Sequence, residues 1–247
     1  MDDTRIHALD VFKGIVVIPM VLYHGLYLFL SLYFDINLIP FGIIKYLALP
    51  VVGTFMITAG ITSKISRNNL KRGVKLLIVA YLITFLTTFI PTLLPSLLND
   101  AASLGIRFGI LHFFGWVILL YAVLSPHIKR SPALFEKFPY IFLLLFALLF
   151  FIFPIQVNTP HLYMFGFINE SFSSADYYPI LPWVFLFLFG IFISDKIILQ
   201  KKAPEWFYTM RCAPLEFLGK YCLFIYVLHQ LVILAVFKFF EYIFLLF

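Results

Sequence analysis

Seven stretches of this chain are long, apolar and nearly free of charge, at about residues 11–33, 41–63, 72–91, 106–125, 138–155, 180–199 and 217–237. Crossing about 30 Å of hydrocarbon takes about 20 apolar residues in a helix, so each stretch reads as a transmembrane helix. Lipid offers no partner to a backbone amide, which leaves helices as the spanning structure. The expected fold is therefore all-α and integral to the membrane: one domain, residues 1–247, built as a bundle of about seven transmembrane helices. The composition fits that reading, with 63% apolar and 12% charged residues. A soluble domain carries about 25% charge. The 32 Phe and 14 Tyr suit a lipid-facing surface with interfacial belts.

Prolines mark most of the proposed ends, among them Pro91, Pro126, Pro154, Pro179 and Pro214. Pro19 and Pro50 are interior and predict kinks in spans one and two. Basic residues set the orientation. With the N-terminus cytoplasmic and the C-terminus outside, 15 of the 18 Lys and Arg face the cytoplasm, and only Lys45, Arg107 and Lys238 lie outside. The net charge of +6 is thereby a topology signal and calls for no nucleic-acid partner. The cluster from Lys64 to Lys75 also suits contact with lipid headgroups. Cys212 and Cys222 form no disulfide framework, and no residues show metal-ligand spacing, so no metal is expected.

Ionisable groups inside the membrane are costly and mark functional candidates. At 1.5 Å per residue, His24 of span one lies about 18 Å from its cytoplasmic end. His112 of span four lies about 10 Å below the outer surface, and His229 of span seven near mid-depth. One site could gather all three. On span one, Asp10, Lys13, Val17, Met20, His24, Tyr27 and Ser31 fall within about 40° of a line, as along a cavity wall. On span four, Gly105, Gly109, His112 and Trp116 are expected to share a face, with Arg107 at the outer mouth. On span seven, Cys222, Tyr226 and His229 align.

Four segments then become recognisable together. They are Arg5-Ile-His-Ala-Leu-Asp-Val-Phe-Lys-Gly continuing to His24; Arg107-Phe-Gly-Ile-Leu-His112; Asp176-Tyr-Tyr-Pro-Ile-Leu-Pro-Trp183 with Gly190; and Leu218-Gly-Lys-Tyr-Cys-Leu-Phe-Ile-Tyr-Val-Leu-His229-Gln230. In this order they resemble the catalytic-domain family of heparan-α-glucosaminide N-acetyltransferase in its short prokaryotic form. They are more distantly similar to the membrane acyltransferases of bacterial polysaccharides, whose first-helix histidine His24 resembles. Lys13 stands where the family motif usually has arginine, so a phosphate contact there would be point-like.

The resemblance implies acetyl transfer across a membrane, in a prokaryote the plasma membrane. Acetyl-CoA would bind from the cytosol at Arg5, Asp10 and Lys13, and its thioester would reach His24 along the span-one stripe. A sugar or glycan amine or hydroxyl would enter from the other side, at Arg107, Trp183 and His229. His24, His112 and Asp176 are the implied catalytic set. A histidine near its ordinary pKa can take the acceptor's proton, an oriented carboxylate such as Asp176 can fix its tautomer, and Arg107 or His112 can hold the developing oxyanion. Membrane lipids complete the surroundings, and the aromatic surface would permit a homodimer. The competing reading is a small-molecule transporter or channel that uses the same polar stripe as its pathway, although no inverted repeat is evident.

Overall fold

A computed structural model describes residues 6–34, 41–90, 105–128 and 139–244. Its long elements are helical: α1 (His7–Phe34), α2 (Phe41–Ile65), α3 (Asn69–Thr84), α4 (Ile110–Ile128), α5 (Pro139–Phe150), α6 (Ile180–Ile193), α7 (Glu205–Thr209), α8 (Ala213–Lys220) and α9 (Cys222–Phe244). α3 and α6 each run on into a π turn, Phe85–Phe89 and Ser194–Ile198. By length and composition, five stretches among the described residues can cross a membrane: His7–Leu26, Ala48–Ile65, Asn69–Phe89, Ile180–Ile198 and Cys222–Tyr242. The helices at expected spans four and five are apolar but shorter, Ile110–Pro126 and Tyr140–Phe150.

Several boundaries differ from the sequence expectation. α4 begins at Ile110, so Gly105 and Gly109 precede the helix and form no helical face with His112 and Trp116. The reason is a cap supplied by a distant segment, described below. α5 ends at Phe150, and the chain turns into a two-residue strand, β1 (Ile155–Gln156), which pairs in parallel with β2 (Phe167–Ile168). The Ile155 and Val157 amides donate to the Gly166 and Ile168 carbonyls, so this small pair departs from a purely helical chain. The last span starts at Cys222, because Tyr221 breaks the run and leaves α8 as a separate helix. α1 and α2 continue through Pro19 and Pro50, which membrane helices tolerate when neighbouring groups absorb the lost bond.

The chain divides into two compact units, residues 1–58 with 202–247, and residues 59–201. In the first, α1 and α8 meet at backbone distance. Gly14 faces the Leu215 carbonyl and Gly219 faces the Asp10 carbonyl, and neither position has room for a Cβ. Each helix thus presents a glycine and, four residues away, the carbonyl that meets the other's glycine, which makes the pair antiparallel. Phe12 stacks on Phe207 of α7, and His7 Nδ1 contacts the Glu216 carboxylate at 2.6 Å. Glu216 also accepts the Cys212 amide at the start of α8. The His7 bond is the main reason its carboxyl is held below the usual range, against some desolvation.

In the second unit, the Asn68 side chain accepts the Lys71 amide and so caps α3. Hydroxyls within the helices return their protons to carbonyls one turn back, as Ser63 does to Ala59 and Thr87 to Ile83. Part of the expected headgroup cluster is tied internally: Lys64 pairs with Asp195 at 2.8 Å, and Arg72 Nη2 donates to Thr62 Oγ1. α5 packs on α6 through Phe146, Phe150 and Trp183.

Candidate active site

Within the first unit, α1 carries His24 and α9 carries His229, and the two rings touch. His229 Nε2 lies 3.1 Å from His24 Nδ1. His229 Nδ1 lies 2.8 Å from the Tyr226 carbonyl and 3.2 Å from that of Ile225, one turn earlier on its own helix. A carbonyl can only accept, so Nδ1 of His229 carries the proton. With both rings neutral, Nε2 of His229 is then the acceptor, and Nδ1 of His24 must donate to it. The Met20 carbonyl, one turn back on α1, also accepts from the His24 ring, and with the proton on Nδ1 the lone pair of His24 is on Nε2. Tyr23 packs edge-on against His24 at 5.2 Å, and Tyr226 lies 5.8 Å from His229. His229 is buried and His24 half-buried, so the basic nitrogen belongs to the more accessible ring.

Lower on α1, Lys13 Nζ meets the Asp10 carboxylate at 2.9 Å, one turn apart. Asp10 is buried where its own carbonyl faces Gly219. Lys13 and His24 are 11 positions apart, which is about 16 Å along a helix. Arg5, expected beside them, lies outside the described residues.

His112 and Asp176 belong to the second unit, and both hold the start of α4. His112 is fully buried. Its Nδ1 accepts the Gly109 amide at 3.1 Å, which puts its proton on Nε2, 3.0 Å from Thr84 Oγ1. Thr84 in turn donates to the Ala80 carbonyl. The Asp176 carboxylate accepts the Ile110 amide at 3.0 Å, so a carboxylate from the loop before α6 caps α4. Negative charge there also meets the positive end of the helix dipole. A Cβ on Gly109 would strike that carboxylate, so the residue between cap and helix is glycine for space. The loop is laced to the approach to α4 by Ala175 N–H to Gly105 O, Arg107 N–H to Ser174 Oγ, and Tyr178 N–H to Phe108 O.

We expect Asp176→Ala to lower stability by about 1–2 kcal/mol, the usual worth of a lost N-cap in a charged setting. Asp176→Asn should retain most of it. Thermal unfolding in detergent reads both, and an alanine variant as stable as the parent would refute the capping role.

Arg107 is exposed, with its guanidinium 6.0 Å from the Phe172 ring centroid. Trp183 is buried among Phe146, Phe150 and Tyr178. Tyr177 donates to the Tyr163 carbonyl at 2.6 Å, and burial pushes its hydroxyl above its ordinary pKa. Among the described residues, no group of three His, Cys, Asp or Glu is arranged to hold a metal ion.

Of the three histidines, then, His24 and His229 come together, while His112 lies in the other unit with Asp176. The sequence singled out His229 for the acceptor, and the structure places it on His24. Nothing in the sequence singles out Thr84, one of three threonines with Thr87 and Thr88 in a mostly apolar run. A family model described as heparan-alpha-glucosaminide N-acetyltransferase, catalytic, matches residues 5–231, nearly the whole chain. No curated protein and no solved structure matches the chain.

Proposed function

This chain belongs to the heparan-alpha-glucosaminide N-acetyltransferase catalytic family, and we propose that it moves an acetyl group from cytosolic acetyl-CoA to an amine or hydroxyl of a sugar or glycan on the opposite side of the membrane. The observation that carries this reading is the 3.1 Å contact of His229 Nε2 with His24 Nδ1, which leaves Nε2 of His24 as the nitrogen to act as base. His24 takes the proton from the acceptor as its nitrogen or oxygen attacks the thioester carbonyl. The new bond to the acetyl carbon forms, the carbon–sulfur bond breaks, and the departing thiolate recovers the proton from His24. Seven spans with the N-terminus cytoplasmic put Lys13 at the donor's side, and 15 of 18 basic residues on that side support the orientation.

The remaining residues take supporting roles in the same proposal. Lys13, paired with Asp10, and Arg5 meet the phosphates of the donor. Arg107, exposed over Phe172, recognises the acceptor. His112 and Asp176 hold the first turn of α4 next to Arg107, and Trp183 supplies packing behind the loop. The exposed apolar side chains along α3, such as Leu70, Ile78 and Leu82, face lipid.

The test uses the full chain in oriented vesicles with a glucosamine-terminated acceptor. Transfer should require acetyl-CoA on the side that bears Lys64 to Lys75 and the acceptor on the other. Acetyl-CoA should also stabilise the purified protein, by about 2.7 kcal/mol at a hundredfold excess over its dissociation constant. Absence of both transfer and stabilisation, or uptake of the sugar without CoA, would overturn the reading.

A further inference from the structure

We propose that His229 is a positioning residue that locks His24 in the Nδ1–H tautomer, so that Nε2 is always the nitrogen offered to the acceptor. The inference deepens the reading of His24 as the base and rests on it. A neutral histidine carries its single proton on either ring nitrogen, and only one form has a base at Nε2. Two things select the form here: the Met20 carbonyl, one turn back on α1, accepts a hydrogen bond from the His24 ring, and a directional chain reaches that ring from α9. The Tyr226 and Ile225 carbonyls fix the proton of His229 on Nδ1, which turns its Nε2 into an acceptor 3.1 Å from His24 Nδ1.

Both carbonyls lie one turn back on α9, so the orientation of His229 is built into its own helix. His229 is only 7% exposed, which keeps water from taking its place at His24 Nδ1. The arrangement does the work that a carboxylate does in a hydrolase triad, with a neutral ring and backbone dipoles in its stead. When His24 accepts a proton at Nε2, its Nδ1–H continues to donate to His229. The resulting cation then faces an acceptor whose own proton is held by the two carbonyls. No proton needs to leave the pair, and the one taken from the acceptor returns to the thiolate.

The experiment combines nitrogen NMR of 15N-histidine-labelled full-length protein in nanodiscs with steady-state kinetics. Loss of one signal set in His24→Gln identifies the His24 ring. The parent protein should show His24 protonated on Nδ1, and His229→Phe should raise the share of the Nε2–H form against the remaining hold of the Met20 carbonyl. His229→Phe should lower kcat roughly 10- to 100-fold, as loss of an orienting partner does elsewhere, with KM for acetyl-CoA unchanged. His229→Gln, whose side-chain oxygen can accept from His24, should recover most of the loss. A parent ring protonated on Nε2, or equal losses in the Phe and Gln variants together with a raised KM, would overturn the positioning role. Transfer retained by His24→Gln would sink the base assignment beneath it, while the NMR signal reports on the pair independently of activity.

Discussion

Replacing His24 by alanine is expected to reduce acetyl transfer by roughly 10²- to 10⁴-fold, the range that a positioned general base supplies. The variant should still fold and still gain stability from acetyl-CoA. The reason is geometric: the proposed base is the far nitrogen of a half-buried ring whose near nitrogen faces His229. The phosphate contacts proposed for the donor lie about 16 Å away along α1, so they do not depend on the imidazole. His24→Gln is the sharper variant, because an amide can keep the contact with His229 yet cannot take up a proton near neutral pH. Both variants should bind donor and fail to transfer. If His24→Gln keeps more than about a tenth of the parent rate, the ring is not the base.

The second large effect concerns stability. Gly219→Ala should destabilise the protein by about 2 kcal/mol or more, although alanine normally favours a helix over glycine by about 1 kcal/mol. The sign reverses because the added Cβ lands on the carbonyl of Asp10. That obstacle is backbone within a long helix and cannot rotate away, so α1 and α8 must part. Their parting also moves Asp10 and the lysine paired with it. Gly25→Ala is the internal control, since its Cβ would meet only the Ile233 side chain at 3.8 Å, an ordinary contact. The yield of monodisperse protein and the unfolding temperature in detergent should fall for the first variant and hold for the second. Equal behaviour of the two would contradict the close approach.

The two substitutions divide what is legible in a sequence from what is not. Hydrophobic runs announce helices because lipid leaves the backbone no alternative, and each proposed span has an apolar helix at its centre. The ends were less legible. Gly105 and Gly109 seemed to continue a helical face, but a carboxylate 66 residues from Ile110 decides where α4 starts. The expected last span, 217–237, takes in the second half of α8, because a break at Tyr221 leaves no mark in the pattern of hydrophobicity. Lys13 and Asp10 were visible as partners, since a spacing of three places two residues on one helical face.

His24 and His229 were visible singly, as ionisable groups where the membrane penalises them. Their contact was not, because 205 residues separate them and nothing local encodes which distant ring a side chain will meet. By itself, then, the sequence determined an α-helical chain with several apolar spans, its family and a short roster of intramembrane polar residues, because solvation by lipid acts on composition and family motifs are local. The packing of α1 on α9 decided that one histidine holds the other. The cap on α4 decided that His112 and Asp176 organise a helix start. Which nitrogen can act as a base is a matter of hydrogen-bond direction, and direction exists only once the helices are packed.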